Sequence, residues 1–280
     1  MDGLLAGISI AVIGGDDREL VLISELVKQG AFVKVVGFPP KPELKSARIV
    51  SNIKMALEGV DVVVLPMPGT DANGVVRAVY ATDQLIITED DLGLLKPGTL
   101  LIVGVARQIL KDMARRCNIK IIETANLDNI AILNSIPTAE GAIQIAMEEL
   151  PITIHGSRAL VLGFGRCGIT LARSLKALGA EVYIAARRLS DLARGYEAGY
   201  KSISYSELNQ FLSEFDVIFN TVPFLILDRS KISLLNHNCL IIDIAATPGG
   251  TDFQAAEEAG IKAILAPGLP GKVAFQFILI

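Results

Sequence analysis

A short apolar strand that runs through a glycine-spaced turn straight into a helix leaves a chain few folds to choose from. Residues Arg158 to Lys176, RALVLGFGRCGITLARSLK, have that form. Ala159–Leu162 read as a buried strand and Gly163-Phe164-Gly165-Arg166-Cys167-Gly168 as the turn, with Leu171, Leu175 and Leu178 on the apolar face of a helix. In this setting the first glycine permits the tight turn, the second lets a pyrophosphate reach the backbone, and the third lets helix pack on strand. The phosphates would lie on free N–H groups at the helix start, where the dipole favours anions. The pattern predicts a βαβ unit holding a dinucleotide at Gly163, Gly165, Arg166, Cys167 and Gly168, the alternative being a turn used only for packing. A helix start could lower the thiol pKa of Cys167, but a small residue tolerated in the turn explains it as well.

An acid about 20 residues past the turn would grip a ribose 2′-hydroxyl. The second strand, Glu181–Ala186, is followed instead by Arg187 and Arg188. Guanidinium groups suit a 2′-phosphate, so the pattern favours NADP over NAD; two solvated arginines are the plainer reading. Ligands of such sheets bind outside the carboxyl ends of the strands. That rule brings Asn220, Thr221 and Pro223 from one strand end, and Ala245 from another, to the nicotinamide side.

The 280 residues suggest two domains, on a prior of ~150 residues each. With 51% hydrophobic and 20% charged residues, the chain suits parallel sheets covered on both faces. Part of the apolar excess would cover a subunit interface in a homo-oligomer. The net charge of −4 and the lack of a long basic cluster argue against nucleic acid or membrane partners. No apolar run approaches the ~18 residues of a membrane span. The N-terminal MDGLLAGISIAVIGGDD carries an acid where a signal peptide is basic, so it reads as a first strand and the expected location is cytoplasmic. Cys117, Cys167 and Cys239 give neither metal spacing nor an even disulfide set, and His155 and His237 have no partner at metal spacing. No metal is expected.

The expected fold is α/β, with two doubly wound domains and an interdomain cleft: a flavodoxin/Rossmann-like substrate-side domain (1–136), a linking helix (137–151), and an NAD(P)-binding Rossmann domain (152–280). Strands are expected at Ile8–Ile13, Phe32–Val36, Val62–Leu65, Leu85–Ile87, Leu100–Val103 and Lys120–Ile122 in the first domain. In the second they fall at Val182–Ala185, Val217–Asn220, Leu240–Ile244 and Ala263–Leu265. Asn126–Pro137 reads as irregular and Thr138–Leu150 as the linking helix. In the first domain, Gly14-Gly15-Asp16-Asp17-Arg18 lacks the full dinucleotide spacing. Asp16, Arg18, Thr70 and Arg107 follow strand ends there, and Thr138 and Glu140 open the linking helix. Domain interfaces concentrate small-molecule sites, so these residues are candidates for an anionic substrate. Each has a plainer role: Arg18 in a surface turn, Thr138 as an N-cap, Glu140 complementing a helix dipole.

Six strings spread over nearly the whole chain carry a more specific likeness: IGGDDREL (13–20), LPMPGT (65–70), NSIPTAEGA (134–142), VLGFGRCG (161–168), TPGGTDF (247–253) and APGLPGKVA (266–274). Through them the sequence resembles the A subunits of dipicolinate synthase from endospore-forming bacteria. The resemblance implies oxidation of dihydrodipicolinate to pyridine-2,6-dicarboxylate, with NADP+ taking hydride, in the mother cell of a sporulating bacterium. The implied partner is a flavoprotein-like B subunit. One departure is visible: where the family continues Pro-Lys-Thr-Ala-Gly into a last helix, this chain reads Phe275-Gln276-Phe277-Ile278-Leu279-Ile280. A missing terminal helix and uncovered apolar surface are expected there.

For a dicarboxylate substrate, Arg18 and Arg107 are the expected carboxylate partners, helped by Thr70 and Thr138. Glu140 and Asp16 are the candidate bases, between which the sequence does not choose. Two other readings stand beside this one. A dehydrogenase of the 2-hydroxyacid type would need a His paired with an acid, which His155 and His237 do not fit. A non-catalytic NADP-binding subunit would leave the chemistry to its partner.

Overall fold

The computed structural model describes residues 3–67 and 69–273. The chain divides into two compact units between Ala131 and Ile132. The first contains, in chain order, β1 (Ser9–Ile13), α1 (Asp17–Lys28), β2 (Phe32–Val36), β3 (Arg48–Ile49), α2 (Ile53–Leu57), β4 (Val62–Val64), β5 (Val75–Val76), β6 (Leu85–Ile86), α3 (Glu89–Leu92), β7 (Leu100–Val103), α4 (Gln108–Arg116) and β8 (Lys120–Glu123). Six strands form a parallel sheet in the order β3-β2-β1-β4-β7-β8. This is the Rossmann winding and not the flavodoxin one.

The central strand explains the layering. Ile10 and Val12 of β1 bury against Leu20 and Ile23 of α1, while Ala11 and Ile13 bury on the opposite face with Ala56 and Leu57 of α2 and Leu110 of α4. A strand apolar at successive positions is stable only when both faces are covered. The expected strand Leu85–Ile87 does not join this sheet. As β6 it pairs antiparallel with β5 in a separate ribbon, because three apolar residues carry no signal for which partner they bury against.

The ribbon is fastened to the loop after β1. The Gly15 N–H donates to the Arg77 carbonyl at 2.8 Å, and the Val79 N–H donates to the Gly15 carbonyl at 2.9 Å. A Cβ on Gly14, whose φ is +64°, would lie 2.7 Å from the Arg77 carbonyl oxygen. Only glycine permits that approach.

Helix α5 (Asp128–Glu149) carries the chain across the boundary. It is followed by β9 (Arg158–Leu162), α6 (Arg166–Ala177), β10 (Glu181–Ala186), α7 (Leu189–Glu197), β11 (Lys201–Ser204), β12 (Val217–Asn220), α8 (Arg229–Ile232), β13 (Leu240–Asp243), α9 (Phe253–Glu258), β14 (Ala263–Leu265) and α10 (Pro270–Val273). The sheet order β11-β10-β9-β12-β13-β14 repeats the winding of the first unit. Val161, Phe219 and Ile242 pack beneath Ala142 and Ala146 of α5 and Leu171 and Leu175 of α6. Leu160, Leu162 and Ile218 fill the other face with Leu227 and Ala255.

The passage Asn126–Pro137, expected to be irregular, is largely helical: α5 begins at Asp128 and contains Pro137 as a buried interior residue. An interior proline costs about 3 kcal/mol. Here Ala139, Ala142, Ile143 and Ala146 dock the helix into the core, and such burial commonly outweighs local propensity. Among the described residues no helix is long and apolar enough to cross a membrane. The departure noted from Phe275 onward lies outside the described residues.

Candidate functional site

In the second unit, β9 ends at Leu162 and Gly163 turns the chain with φ +90°. A Cβ there would meet the Thr221 hydroxyl at 2.5 Å. At Gly168 a Cβ would sit 2.1 Å from the Gly163 carbonyl oxygen, so α6 packs on the turn only without a side chain. Gly165 is different. It is the N-cap of α6 with extended backbone (φ −91°, ψ −160°), and an added Cβ would meet nothing within 4 Å. Among the described residues no contact accounts for glycine at this position. A ligand approaching the backbone does, and α6 carries no side-chain cap over its first N–H groups. The residues present therefore fit a dinucleotide pyrophosphate. Arg166 is exposed beside this turn, and burial pushes the Cys167 thiol up, against the pull of Arg166. A reactive thiolate is not set up there.

Strand β10 ends in buried Ala185 and Ala186 and passes to exposed Arg187 and Arg188, the latter at the N-cap of α7. The loops after β12 and β13 are held by their own side chains. Buried Asn220 donates from Nδ2 to the Val222 carbonyl at 3.0 Å and accepts from the Val222 N–H at 3.1 Å. The Thr221 hydroxyl donates to the Leu162 carbonyl at 2.8 Å. Pro223 is exposed.

Asp243, fully buried, accepts from the Ala245 N–H at 3.1 Å and from the Gly250 N–H and Thr251 hydroxyl at 2.8 Å each. Gly250 is wedged so closely that a Cβ would lie 2.3 Å from the Phe224 carbonyl oxygen. Three strand ends are thus tied into one rim, with Ala245 buried in it. Asp243 stood at an expected strand end, but its organising role depends on contacts seven and eight residues away.

In the first unit, the loop after β1 holds an ionic cluster. Asp16 caps α1, accepting from the Arg18 N–H at 3.1 Å, and Glu19 accepts from the Asp16 N–H at 2.7 Å. Arg18 grips Asp16 through Nε at 2.9 Å and Nη2 at 3.0 Å, and Nη2 also donates to the Met67 carbonyl at 3.2 Å. Arg77, from the ribbon, places Nη1 3.2 Å from the second Asp16 oxygen. Burial works to raise the Asp16 pKa, but the hydrogen bonds from Arg18 and the charges of Arg18 and Arg77 hold it below the usual carboxylate value. Asp16 is thus held as a carboxylate committed to the two guanidinium groups, which weighs against its use as a base.

Thr70 is 1% exposed, and its hydroxyl has no hydrogen-bond partner among the described residues. Burial of an unsatisfied hydroxyl costs about 1–3 kcal/mol. Arg107 is exposed at the N-cap of α4 with no side-chain capping bond.

Two further expectations change. Thr138 is not an N-cap: it lies inside α5 and its hydroxyl donates to the Asn134 carbonyl at 2.7 Å. Glu140 is exposed on the same helix, lining a groove with Met147, Ser174 and Leu178. Ser174 stands eight residues past Arg166, about 12 Å along α6 at ~1.5 Å per residue. Glu140 is thus beside the body of α6 and not its glycine turn. Arg77 was missed because nothing local in the sequence ties it to Asp16.

Residues 9–125 match the family described as the N-terminal domain of the dipicolinate synthase A subunit, and residues 137–246 match the NAD binding domain of D-isomer specific 2-hydroxyacid dehydrogenases. The second unit is accordingly a nicotinamide-dinucleotide-binding domain of dehydrogenase type. The chain is 39% identical over 272 residues to the dipicolinate synthase A subunit of Bacillus subtilis (strain 168), covering 97% of this chain and 92% of that protein. It matches the crystal structure of the dipicolinate synthase A subunit from Bacillus halodurans with a TM-score of 0.94 at 36% identity, over 98% of this chain and 94% of that one. The crystal structure of the Bacillus subtilis protein gives 0.92 at 39% identity, over 99% and 93%.

Proposed function

The chain belongs to the family of dipicolinate synthase A subunits, and we propose that it is the oxidoreductase chain of such a synthase, converting dihydrodipicolinate to pyridine-2,6-dicarboxylate with NADP+. The observation that carries this reading is Gly165, a glycine that no contact among the described residues requires, at the start of α6, where no side chain caps the helix. The absence of an acid at the end of β10, with Arg187 and Arg188 in its place, supports NADP over NAD.

In this reading the first N–H groups of α6 hold the pyrophosphate, Arg187 and Arg188 hold the 2′-phosphate, and the rim of Asn220, Thr221, Pro223 and Ala245 bounds the nicotinamide. The bound cofactor would supply hydride acceptance. Arg18 in the first unit takes a carboxylate, with Thr70 and Arg107 as neighbouring donors. The substrate loses one hydride and one proton, and the resulting aromatic ring supplies the driving force. No carboxylate of the chain is assigned as the base; water suffices as proton acceptor. A flavoprotein-like B subunit is the proposed partner, and the cytoplasm of a sporulating mother cell the proposed location.

The test is turnover by the purified chain, with dihydrodipicolinate and NADP+, followed by the absorbance of NADPH. Turnover by the chain alone is the expected result. A chain that binds NADP+ yet forms NADPH at no rate, with or without the B subunit, would refute it.

A further inference from the structure

We propose that Arg77 is a carboxylate-binding residue for the pyridine dicarboxylate, acting beside Arg18. The inference rests on the reading that the first unit takes that substrate. Arg18 is a constrained donor: its side chain is only 11% exposed, Nε and Nη2 are engaged by Asp16, and Nη2 also serves the Met67 carbonyl. Little of its fork remains for a ligand. Arg77 pairs with the same carboxylate, 49% exposed, its Nη1 3.2 Å from Asp16. Among the described residues its side chain donates no hydrogen bond of its own.

The charges agree. Two guanidinium groups face one aspartate, and Glu19, the other acid nearby, is committed to the Asp16 N–H. Among the described residues no second acid is paired with Arg77. The placement of Arg77 is also fixed: its carbonyl accepts from the Gly15 N–H at 2.8 Å, across a contact that a Cβ at Gly14 would close. Thr70 bridges to Val76, the residue before Arg77, and brings its buried, unpartnered hydroxyl to the same ribbon. The half-free guanidinium and the orphaned hydroxyl are independent signs that this loop cluster is completed by a ligand rich in acceptors.

Calorimetric titration of the full chain with pyridine-2,6-dicarboxylate tests this, using wild type, Arg77→Ala, Arg77→Lys and Arg115→Ala. Loss of one charge-assisted hydrogen bond predicts a weakening of about ten-fold to a hundred-fold for Arg77→Ala. Arg77→Lys should recover part of it, because charge returns without the fork, and Arg115→Ala, at an exposed ion pair with Asp112 on α4, should change affinity by less than about three-fold. NADP+ affinity, which depends on the other unit, should hold in every variant. If Arg77→Ala loses NADP+ as well, Arg77→Gln at the same half-exposed position decides by the same criterion. Wild-type affinity in the Arg77 variants overturns the inference and leaves the dicarboxylate reading intact. A wild-type chain with no affinity for the dicarboxylate overturns both.

Discussion

Replacing Gly165 with Val separates what a glycine does for the fold from what it does for a ligand. Its extended backbone, φ −91° and ψ −160°, is one that a β-branched residue adopts without strain. The added Cβ meets nothing within 4 Å, so the cost to the fold is only that of a poorer N-cap, about 0.5–1 kcal/mol. Gly168→Ala makes the opposite case. Its Cβ would lie 2.1 Å from the Gly163 carbonyl oxygen, forcing α6 away from the turn at an overpacking cost of about 1–3 kcal/mol. For the cofactor, a valine in the approach path removes at least one charged hydrogen bond to the pyrophosphate, worth roughly 1.5–3 kcal/mol. That is about ten-fold to a hundred-fold in affinity. Urea denaturation and NADPH calorimetry on both variants give the two readouts. Gly165→Val should keep the wild-type unfolding midpoint nearly unchanged and lose NADPH, and Gly168→Ala should lower the midpoint. A Gly165→Val protein that binds NADPH as tightly as wild type would refute the reasoning.

Three more outcomes follow from the same contacts. Arg187→Ala/Arg188→Ala should weaken NADPH by about ten-fold to a hundred-fold and NADH by less than about two-fold; equal wild-type affinities for the two cofactors would exclude a 2′-phosphate site. Burial pushes the Glu19 carboxyl above its ordinary value of 4.5, against the hydrogen bond from the Asp16 N–H. Folded protein thus holds that proton more tightly than unfolded chain, so its contribution is greatest below 4.5 and declines as pH rises through the folded value. Glu19→Gln, which keeps the capping acceptor, should raise Tm at pH 7 and flatten the pH dependence above 4.5; an unchanged pH profile would count against the shift. Asp243→Ala leaves the Ala245 and Gly250 N–H groups and the Thr251 hydroxyl without their acceptor, so stability should fall by about 3 kcal/mol or more, and a loss under about 1 kcal/mol in urea titration would mean that water replaces the carboxylate.

What the sequence revealed was what lies close along the chain. The glycine turn is legible because strand, turn and helix are contiguous, and the strands are legible because β1 and β9 are apolar on both faces. The start of α5 was not, since Pro137 reads as a breaker when the core that holds it is unseen. For the same reason Thr138 looked like a cap and Glu140 like a residue near a helix start. The ribbon of β5 and β6 was illegible for want of length. Arg77 reaches Asp16 only through that ribbon, so the cluster around Asp16 could be half guessed, from Arg18, and no further.

Helices α1 and α6 open at equivalent points of two sheets with the same winding, after β1 and β9. Their first turns nevertheless offer opposite invitations to an anion. At α6 no side chain caps the leading amides, whereas at α1 Asp16 caps them and Glu19 closes back on the Asp16 N–H. A tethered acid already stands in the first unit where a phosphate would have to settle. Repetition of the fold therefore does not repeat the cofactor: each chain should bind one dinucleotide, at the start of α6 and not of α1.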